Sequence, residues 1–355
     1  MKICHFTSAH STDDVRIFLK ECQTLGEAGH DVYLVGKGES REEAGIHVVG
    51  CGNVKNRADR FLFFSKRIYK TARDLGCDVY HFHDPELLRY ALKLKRLGKI
   101  VIFDSHEDVP AQILDKQWIP AFLRKFVSKA YERFETHVVK KIDAVVTATP
   151  YIADKFKGRA KMVCAINNYP KLSDIEFHDK EFSERESIVC YVGGVSEQRG
   201  EKIMLEAMRA VNGELIIAGE HEKETFTDGG KVTYVGRVDR TGVNDIYSKS
   251  VAGLVVLQPC ANYVNSQPIK MYEYMAAGLP VIYSSFQCWN KQIGDLGVGI
   301  AVNSDSAKEV AAAINYLFEN RDVAQEMGIK GRQAVGKSFS WEAEGVRLCE
   351  LYERI

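Results

Sequence analysis

The strongest constraint on how this chain folds is the alternation of short apolar segments with segments of helical periodicity from one end to the other. The short segments are rich in β-branched and aromatic residues, as in KICHFTS and SIVCYV. Strands that are apolar on both faces and separated by helices are typical of a parallel sheet covered by helices on each side. We predict strands at residues 2–8, 31–36, 46–50, 78–84, 99–105, 143–149, 161–167, 187–194, 213–220, 231–238, 252–259, 280–285 and 297–303.

The alternation comes in two successive blocks. Between them the stretch NYPKLSDIEFHDKEFSERE is polar, charged and without periodicity. A chain of 355 residues is also long enough for two domains. We therefore predict two doubly wound α/β domains, residues 1–170 and 187–338, joined by a linker at 171–186. A C-terminal helical segment, 339–355, is expected to pack back on the first domain.

Composition and charge restrict the partners and the compartment. The 48 Lys and Arg residues balance the 48 Asp and Glu residues, so no overall positive field is available to hold a long nucleic acid. Nine scattered cysteines without a C-x-x-C pair are typical of reduced thiols in a cytosolic protein. No apolar run approaches the ~18 residues of a membrane-spanning helix, and the amino terminus turns polar too early for a secretory signal. We expect a cytoplasmic protein that binds no nucleic acid.

The segment SQPIKMYEYMAAGLPVI, which begins at Ser266, carries the clearest chemistry. Pro268 suits the first turn of a helix and Gly278 suits its C-cap, so we predict a helix over 268–277. Its N-terminus should lie beside the carboxyl end of strand 252–259, where it offers backbone N–H groups and the positive end of the helix dipole. This arrangement predicts an anion site, with phosphate as the expected ligand.

Two charged side chains of the same helix fit a phosphorylated ligand. Lys270 lies in the first turn, where the dipole disfavours a cation unless an anion is bound. Glu273, about one turn later, can accept two hydrogen bonds from a diol such as a ribose. The alternative is an amphipathic helix whose Lys270 and Glu273 only face solvent.

The loop GGVSEQRG, after strand 187–194, offers a second cation, Arg199. The loop is not a Walker A motif, because the spacing from Gly194 to Gly200 is one residue too long and no G-x4-G-K-[ST] occurs. The sequence therefore disfavours ATPase and GTPase motors.

Histidines follow two strands of the first block. His81 and His83 alternate along a strand, so both rings can share a face, but no carboxylate or cysteine cluster completes a metal site and we predict none. His83 and Asp84 are interpreted as cleft-lining or capping residues. His106 lies just beyond strand 99–105, where a structural role is the alternative to a functional one.

The segment HSTDDVR links the first strand to its helix. Either Asp13 or Asp14 is expected to be the helix N-cap. The alternative is that His10, Asp13 and Asp14 bind a ligand.

The motif PIKMYEYMAAGLPVI resembles the core signature of the retaining glycosyltransferases of family 4. The segments DDVRIFLKECQTLGEAGHDVYLVG, DVYHFHDPELLRYALKLKRLGKIVIFDSHED, YVGGVSEQRG and EMGIKGRQAVGKSFSWEAEGVRLCELYERI resemble further blocks of that family, so the resemblance covers the whole chain. It implies a GT-B fold, in which two Rossmann-like domains face a central cleft that holds the active site.

The resemblance also implies residue roles. Glu273 matches the second glutamate of the family's E-x7-E motif, which binds the donor ribose, whereas the first glutamate is replaced by Asn265. The loop arginine and lysine that meet the donor diphosphate in relatives fall on Gly194 and Arg199, so we expect Lys270 to supply the missing charge. The expected catalytic residues are His106, Arg199 and Lys270. The expected donor-binding residues are Gly193, Gly194, Arg199, Gly236, Arg237, Asn265, Gln267, Pro268, Ile269, Lys270 and Glu273. The expected acceptor-binding residues are His10, Asp13, Asp14, His83 and Asp84.

The function implied by the resemblance is retaining transfer of a sugar from a nucleotide-diphosphate sugar to a glycan or a lipid-linked acceptor. A UDP-sugar is favoured on family frequency, the setting is bacterial surface polysaccharide or lipopolysaccharide synthesis, and neither a cofactor nor a divalent metal is required. Two alternatives are a nucleotide-sugar epimerase of the same fold and a catalytically silent subunit that binds nucleotide-sugar.

Two basic amphipathic stretches suggest a membrane contact. Residues 55–73 and 121–141 are rich in Lys and Arg, and Phe61, Phe64, Ile68 and Ala72 form a helical stripe. Such helices can lie on an anionic membrane, which suits a lipid-linked acceptor. The alternative is two surface helices that pack their apolar sides inward.

Overall fold

The chain forms two compact units in a computed structural model that describes residues 1–116, 118–177, 182–221, 230–260 and 263–355. The first unit contains Met1–Asn168 and Ala343–Ile355, and the second contains Tyr169–Glu342. Where it is described, the predicted linker 171–186 belongs to the second unit and forms short 3-10 turns, whereas 178–181 lies outside the described residues.

The sheet of the first unit runs in the order β3-β4-β2-β1-β5-β6-β7-β8. Adjacent strands are parallel except β3 and β4, which are antiparallel. The edge strand β3 was not predicted, because its sequence REE has no apolar pattern. The strands are β1 (Lys2–Phe6), β2 (Asp31–Gly36), β3 (Arg41–Glu43), β4 (Ile46–Gly50), β5 (Val79–Phe82), β6 (Ile100–Ser105), β7 (Ala144–Thr147) and β8 (Val163–Ala165).

The sheet of the second unit is parallel in every described pairing and runs β11-β10-β9-β12-β13-β14. Most of its residues are buried on both faces, which is why the strands are continuous apolar runs in the sequence. The strands are β9 (Ile188–Val192), β10 (Glu214–Ala218), β11 (Val232–Gly236), β12 (Ala252–Val255), β13 (Val281–Ser284) and β14 (Gly299–Val302).

Helices connect the parallel strands. In the first unit, π-helical segments at Val15–Cys22 and Arg60–Phe64 lead into α1 and α3. The α-helices are α1 (Gln23–Glu27), α2 (Arg57–Asp59), α3 (Ser65–Asp74), α4 (Leu88–Arg96), α5 (Val109–Asp115), α6 (Ala121–Val139), α7 (Pro150–Phe156), α8 (Glu201–Met208), α9 (Arg240–Lys249), α10 (Ile269–Ala276), α11 (Gln287–Ile293), α12 (Ala307–Glu319), α13 (Arg321–Ser338) and α14 (Trp341–Arg354). Within the described ranges, no helix combines the length and apolarity needed to cross a membrane.

Both sheets reverse their winding direction at the strand that begins the unit. The first sheet grows from β1 through β2 on one side and through β5 on the other, and the second grows from β9 through β10 and through β12. At such a switch point the loops leave the carboxyl ends of neighbouring strands in opposite directions and open a crevice. The fold therefore places one candidate site after β1 and β5 and another after β9 and β12.

Candidate functional site

In the second unit, the loop after β9 brings bare backbone to the switch point. Gly193 has φ of +133° and Gly219, just after β10, has φ of +144°, values that L side chains rarely adopt. The two residues also approach so closely that a Cβ on Gly219 would overlap the carbonyl oxygen of Gly193. Glycine is therefore required here by both conformation and space.

Two cationic side chains lie against this loop. A Cβ on Gly194 would overlap Nη1 of Arg199, and a Cβ on Gly193 would lie 2.9 Å from Nζ of Lys270. The glycine at 194 thus makes room for the guanidinium of Arg199. The structure brings together the two cations that the sequence assigned to one phosphate group.

The environment of Lys270 is unusual for an ammonium group. Among the described residues, its buried Nζ has no hydrogen-bond partner, and it lies 3.5 Å from the centroid of the Tyr191 ring. Burial lowers the pKa of Lys270 well below its ordinary value, and the positive charge of Arg199 lowers that pKa further. The hydroxyl of Tyr191 donates to the Gly194 carbonyl at 2.8 Å, which fixes the ring in place. A buried amine beside a second cation is the electrostatic complement of an anion.

The predicted helix after this site is present as α10. Pro268 is its N-cap residue, and Gly278, with φ of +76°, follows its last turn. Ile269 and Lys270 are consequently the first two helical residues, at the positive end of the dipole. Just before the helix, Oε1 of Gln267 is buried without a hydrogen-bond partner among the described residues. A polar ligand at this helix end would satisfy both Gln267 and Lys270.

Glu273, one turn into α10, is held by two neighbours. Nη1 of Arg240 lies 3.1 Å from its Oε1, and the hydroxyl of Tyr247 donates to its Oε2 at 3.4 Å. Both neighbours come from α9. The carboxylate is therefore oriented, and a diol that binds Glu273 would share it with Arg240.

The other expected donor-binding residues differ in placement. Gly236 ends β11 with φ of +73°, and Asn265 is half-buried in the turn before α10. Arg237 is 79% exposed and forms a surface ion pair with Glu220 at 2.8 Å. Arg237 is thus a surface residue, and its expected contact with the donor stays a prediction.

In the first unit, the carboxyl ends of β1, β5 and β6 gather a polar cluster. The ring centroid of His106 lies 4.8 Å from that of His10 and 5.4 Å from that of His83. Nδ1 of His10 lies 3.3 Å from Oδ2 of Asp14, and its Nε2 lies 3.7 Å from Oδ1 of Asp84. Burial would lower the pKa of His10, but Asp14 and Asp84 raise it above its ordinary value. Four of the five expected acceptor-binding residues therefore belong to this cluster: His10 and His83 lie beside His106, and Asp14 and Asp84 lie beside His10.

The fifth, Asp13, lies elsewhere. Its side chain is 74% exposed and pairs with Arg41 at the surface. Asp14 is the helix N-cap, since its Oδ1 accepts from the backbone N–H groups of Arg16 at 2.9 Å and Ile17 at 3.0 Å. The structure thus decides between the two caps that the sequence left open.

Asp84 is buried and organises the loop after β1. Its Oδ2 accepts from the Thr7 hydroxyl at 2.8 Å, from the backbone N–H of Ser8 at 2.5 Å and from that of Ala9 at 3.1 Å. These contacts hold the segment that carries His10. Asp84 therefore fixes the backbone that positions His10.

Beneath this cluster, Arg16 and Asp104 form a buried bidentate ion pair. Nε and Nη2 of Arg16 donate to the two carboxylate oxygens of Asp104 at 2.9 and 3.1 Å. Oδ2 of Asp104 also lies 2.9 Å from Nε2 of His106 and 3.2 Å from Nδ1 of His83. Burial alone would raise the pKa of Asp104, but Arg16 and His106 hold it well below the ordinary range.

Further histidines adjoin this ion pair. The prediction that His81 and His83 share a face is confirmed, since their rings stack with centroids 5.0 Å apart. The register of β1 on β5 places His5 opposite His81. The expectation that no carboxylate accompanies these histidines is wrong. Ligand atoms of Glu21, His81, His83 and Asp104 all lie within 4.8 Å of one another, because the first helix and β6 bring the carboxylates to β5.

Hydrogen bonds and ion pairs engage part of this cluster, whereas both carboxylate oxygens of Glu21 and Nε2 of His81 are buried without a hydrogen-bond partner among the described residues. His83 directs Nδ1 at Asp104, and its Nε2 lies 3.1 Å from Nδ1 of His5. Nε of Arg16 lies 3.0 Å from Oε1 of Glu21 as well as contacting Asp104. A guanidinium that pairs with both carboxylates competes directly with a metal ion for them.

Sequence reasoning missed several residues of these sites. A charge inside the apolar strand IVIFDS was an available signal for Asp104. Arg16 and Glu21 gave none, because their partner is far away in the sequence. Tyr191 and Arg240 are ordinary strand and helix residues until the fold places them beside Lys270 and Glu273. The missed residues are Arg16, Glu21, Asp104, Tyr191 and Arg240.

Comparisons with known proteins agree with this architecture. Residues 15–164 match the model of Glycosyltransferase Family 4, and residues 173–334 match that of Glycosyl transferases group 1. A phosphatidyl-myo-inositol mannosyltransferase of Mycobacterium leprae is 26% identical over 319 residues, which cover 83% of this chain and 79% of that protein. An alpha-D-kanosaminyltransferase of Streptomyces kanamyceticus is 24% identical over 247 residues, covering 62% of this chain and 63% of the relative.

Solved structures show the same fold. Sucrose-phosphate synthase from Thermosynechococcus elongatus superposes with a TM-score of 0.79 at 17% identity, covering 100% of this chain and 99% of its own. Anabaena Alr3699/HepE in complex with UDP gives a TM-score of 0.75 at 12% identity, with both chains covered completely. With two parallel α/β units and these matches, the chain has the GT-B fold and belongs to the group 1/family 4 glycosyltransferases.

Proposed function

We propose that this glycosyltransferase moves a sugar from a UDP-sugar to a glycan or lipid-linked acceptor with retention of configuration, in bacterial surface polysaccharide or lipopolysaccharide synthesis. The observation that carries the proposal is the convergence of Arg199 and Lys270 on the bare backbone of Gly193 and Gly194. A diphosphate is the leaving group that such a site suits, because its charge increases as the sugar departs.

The choice of nucleotide draws support from two directions. The Anabaena structure contains UDP, and a second structure of that protein contains UDP-glucose. A relative from Mycobacterium tuberculosis is named as GDP-mannose-dependent, so GDP is the competing nucleotide. Glu273, oriented by Arg240 and Tyr247, would bind the ribose of either one.

The reaction follows from the two sites. Arg199, Lys270 and the N-terminus of α10 stabilise the departing diphosphate, so fixed charges do the work of a divalent metal. His106 contacts the transferred sugar, and His10 and Asp14 contact the acceptor. A phosphate oxygen of the donor takes the proton of the acceptor hydroxyl, which lets the acceptor attack from the face that the diphosphate leaves.

A membrane contact belongs to the same proposal, through the second of the two basic stretches, 121–141, in place of the first. Three residues of the predicted stripe, Phe64, Ile68 and Ala72, are buried and pack inward, whereas the fourth, Phe61, is 37% exposed. In α6, however, Phe122 is 82% and Phe126 is 71% exposed.

Other exposed apolar and basic side chains lie close to Phe122 and Phe126 in the sequence. Trp118 is exposed shortly before α6, and the guanidinium of Arg57 lies 4.8 Å from its ring centroid. Lys125 and Lys129 follow on α6. Exposed aromatic rings bordered by cations suit an anionic bilayer surface, where a lipid-linked acceptor would be found.

The function is tested with a panel of UDP-, GDP- and ADP-sugars. We expect a UDP-sugar to bind. Sugar transfer to a lipid-linked acceptor should persist in EDTA, and NMR should show that the product keeps the anomeric configuration of the donor.

Glu273→Ala should weaken nucleotide binding about tenfold or more, because a charged hydrogen bond contributes roughly 1.5 to 3 kcal/mol. Acceptor-free conversion of the donor would indicate an epimerase, and binding without transfer would indicate a silent subunit. Either acceptor-free conversion or binding without transfer would overturn the proposal.

The shared phosphate site is tested with a double-mutant cycle of Arg199→Ala and Lys270→Ala. Each change should weaken UDP binding by ~1.5 to 3 kcal/mol and uridine binding little, because only the charged part of the ligand loses a partner. A coupling of ~0.5 kcal/mol or more is expected for two residues on one ligand group. Lys249→Ala, an exposed lysine on α9, is the control. A near-unchanged UDP affinity in Lys270→Ala, without coupling, would contradict the assignment.

Binding of UDP should take up a proton at Lys270. The pKa of Lys270 lies well below its ordinary value in the free protein, and a diphosphate against Nζ would raise it. Between those two pKa values the free protein lacks a proton that the complex holds, so affinity should fall as pH rises through this window. Calorimetry in buffers of different ionisation enthalpy measures the uptake. It should disappear in Lys270→Met and remain in Lys249→Ala, and its presence in Lys270→Met would refute this account.

The membrane contact is tested by sedimentation with vesicles. Phosphatidylglycerol-containing vesicles should bind the protein more tightly than pure phosphatidylcholine, and salt should weaken the binding. Phe122→Ser with Phe126→Ser should reduce binding about tenfold or more, since one buried aromatic side chain contributes roughly 1.5 to 3 kcal/mol. Val346→Ser, at another exposed apolar position of the first unit, should have little effect. Equal binding to both vesicle types would exclude the anionic surface.

A further inference from the structure

Hydrogen bonds connect four histidines of the first unit with Tyr352 of α14. His106 and His83 meet Asp104, His83 meets His5, and the Tyr352 hydroxyl lies 3.2 Å from Nε2 of His5. The same hydroxyl lies 2.9 Å from Nδ1 of the fourth histidine, His81. A neutral imidazole carries its proton on one nitrogen and accepts on the other, so each contact limits the tautomer of the next ring.

Asp104 determines the first tautomers of this chain. Its carboxylate is paired with Arg16 and can only accept hydrogen bonds. Nε2 of His106 lies 2.9 Å and Nδ1 of His83 3.2 Å from Oδ2, and the two nitrogens lie 3.3 Å from each other. If one nitrogen accepted from the other, its lone pair would still face the anionic Oδ2, so the favoured arrangement has both donating to Oδ2. The reverse arrangement would direct two nitrogen lone pairs at an anionic oxygen.

The donor-to-acceptor direction of each following hydrogen bond is then fixed through the buried rings. With its proton on Nδ1, His83 accepts at Nε2 from Nδ1–H of His5. His5 accepts at Nε2 from the Tyr352 hydroxyl, which accepts from Nδ1–H of His81. Burial lowers the pKa of His5, His81 and His83, so these rings are neutral and each has a single proton to place. One carboxylate thus orders the whole chain.

The consequence for His106 concerns its other nitrogen. With the proton on Nε2 held by Asp104, Nδ1 keeps its lone pair. The side chain of His106 remains 17% exposed, whereas that of Asp104 is fully buried. Through Nδ1 the ring can accept a hydrogen bond from a hydroxyl group, and it cannot donate one to a phosphate oxygen while it is neutral.

We propose that Asp104 is a positioning residue for the transfer reaction, which holds His106 in the Nε2–H tautomer so that Nδ1 accepts a hydrogen bond from a hydroxyl of the transferred sugar. The role of the sugar rests on the function proposed above. The tautomer itself is a property of the free protein and can be measured without any substrate.

The test is long-range ¹H–¹⁵N NMR of the histidine rings in the ligand-free protein. Each ring is assigned by a single His→Gln substitution. We expect His106 to be protonated on Nε2, and His5, His81 and His83 to be protonated on Nδ1. A neutral His106 protonated mainly on Nδ1 would overturn the proposal, whether or not the protein transfers sugar.

Two variants separate positioning from general destabilisation. Asp104→Asn should mix the tautomers of His106 and lower turnover by about tenfold or more while nucleotide affinity stays unchanged, as expected for loss of a tautomer-fixing carboxylate. Tyr352→Phe should disturb the ring signals of His5 and His81 and leave His106 protonated on Nε2, even if Asp104→Asn fails to fold.

The matched control is Tyr80→Phe. Tyr80 is a buried tyrosine of β5 whose hydroxyl donates to the Arg73 carbonyl, away from the histidines. Its loss should leave all four histidine signals unchanged. A loss of the His106 tautomer in Tyr352→Phe would show that the order does not originate at Asp104 and would contradict the proposal.

Discussion

The buried ion pair of Arg16 and Asp104 is the interaction on which the polar end of the first unit depends. Arg16 comes from the helix after β1 and Asp104 from β6, and Nη1 of Arg16 also donates to the Ile166 carbonyl at 2.7 Å. The pair thus connects three distant parts of the chain. Removing one partner would leave a buried charge without compensation, which typically costs about 3 to 5 kcal/mol. The neighbouring histidines can be closely packed because the net charge beside them is small.

The second unit uses charge in the opposite way. Arg199 and Lys270 lie against the same two glycines, and the ammonium of Lys270 contacts an aromatic ring. Burial and the charge of Arg199 lower the pKa of Lys270, so a positive charge on Lys270 is unfavourable until an anion compensates it. Such a site favours an ion whose negative charge grows during the reaction, because its dipoles and charges are already oriented. The two switch points therefore differ in charge: at the first, Arg16 is paired with Asp104, and at the second, the basic side chains of Arg199 and Lys270 lie together.

Local pattern predicted the sheets and helices well, because parallel strands buried on both faces leave an unmistakable apolar signature. It also placed α10 and its caps, since Pro268 and Gly278 act through backbone geometry alone. The local sequence pattern could not predict long-range ion pairs, because nothing near Arg16 or Glu21 in the sequence indicates a partner on β6. The edge strand β3 was missed because its polar residues carry no alternation.

The apolar stripe of the basic segment shows a different limit. Helical periodicity identified Phe61, Phe64, Ile68 and Ala72 as one face but could not say whether that face meets lipid or the protein core. All but Phe61 meet the core. Phe122 and Phe126 share one face of α6, and their exposure became visible only in the structure. The contact of these two rings with a membrane stays a prediction, as do the contacts of His106 with the sugar and of His10 and Asp14 with the acceptor.

The position of α14 in the first unit restricts how domains of such enzymes can be exchanged between proteins. The backbone N–H of Trp341 donates to the carbonyl of Pro170, within the second unit, whereas residues from Ala343 onward belong to the first. Glu344 accepts from Asn167, and Tyr352 reaches the histidines. The second unit is therefore inserted in the sequence between the two segments of the first unit. A functional chimera would have to exchange the second unit at two junctions and keep the C-terminal segment of the recipient. Recombination at a single crossover would instead combine Tyr352 with the histidines of a different protein.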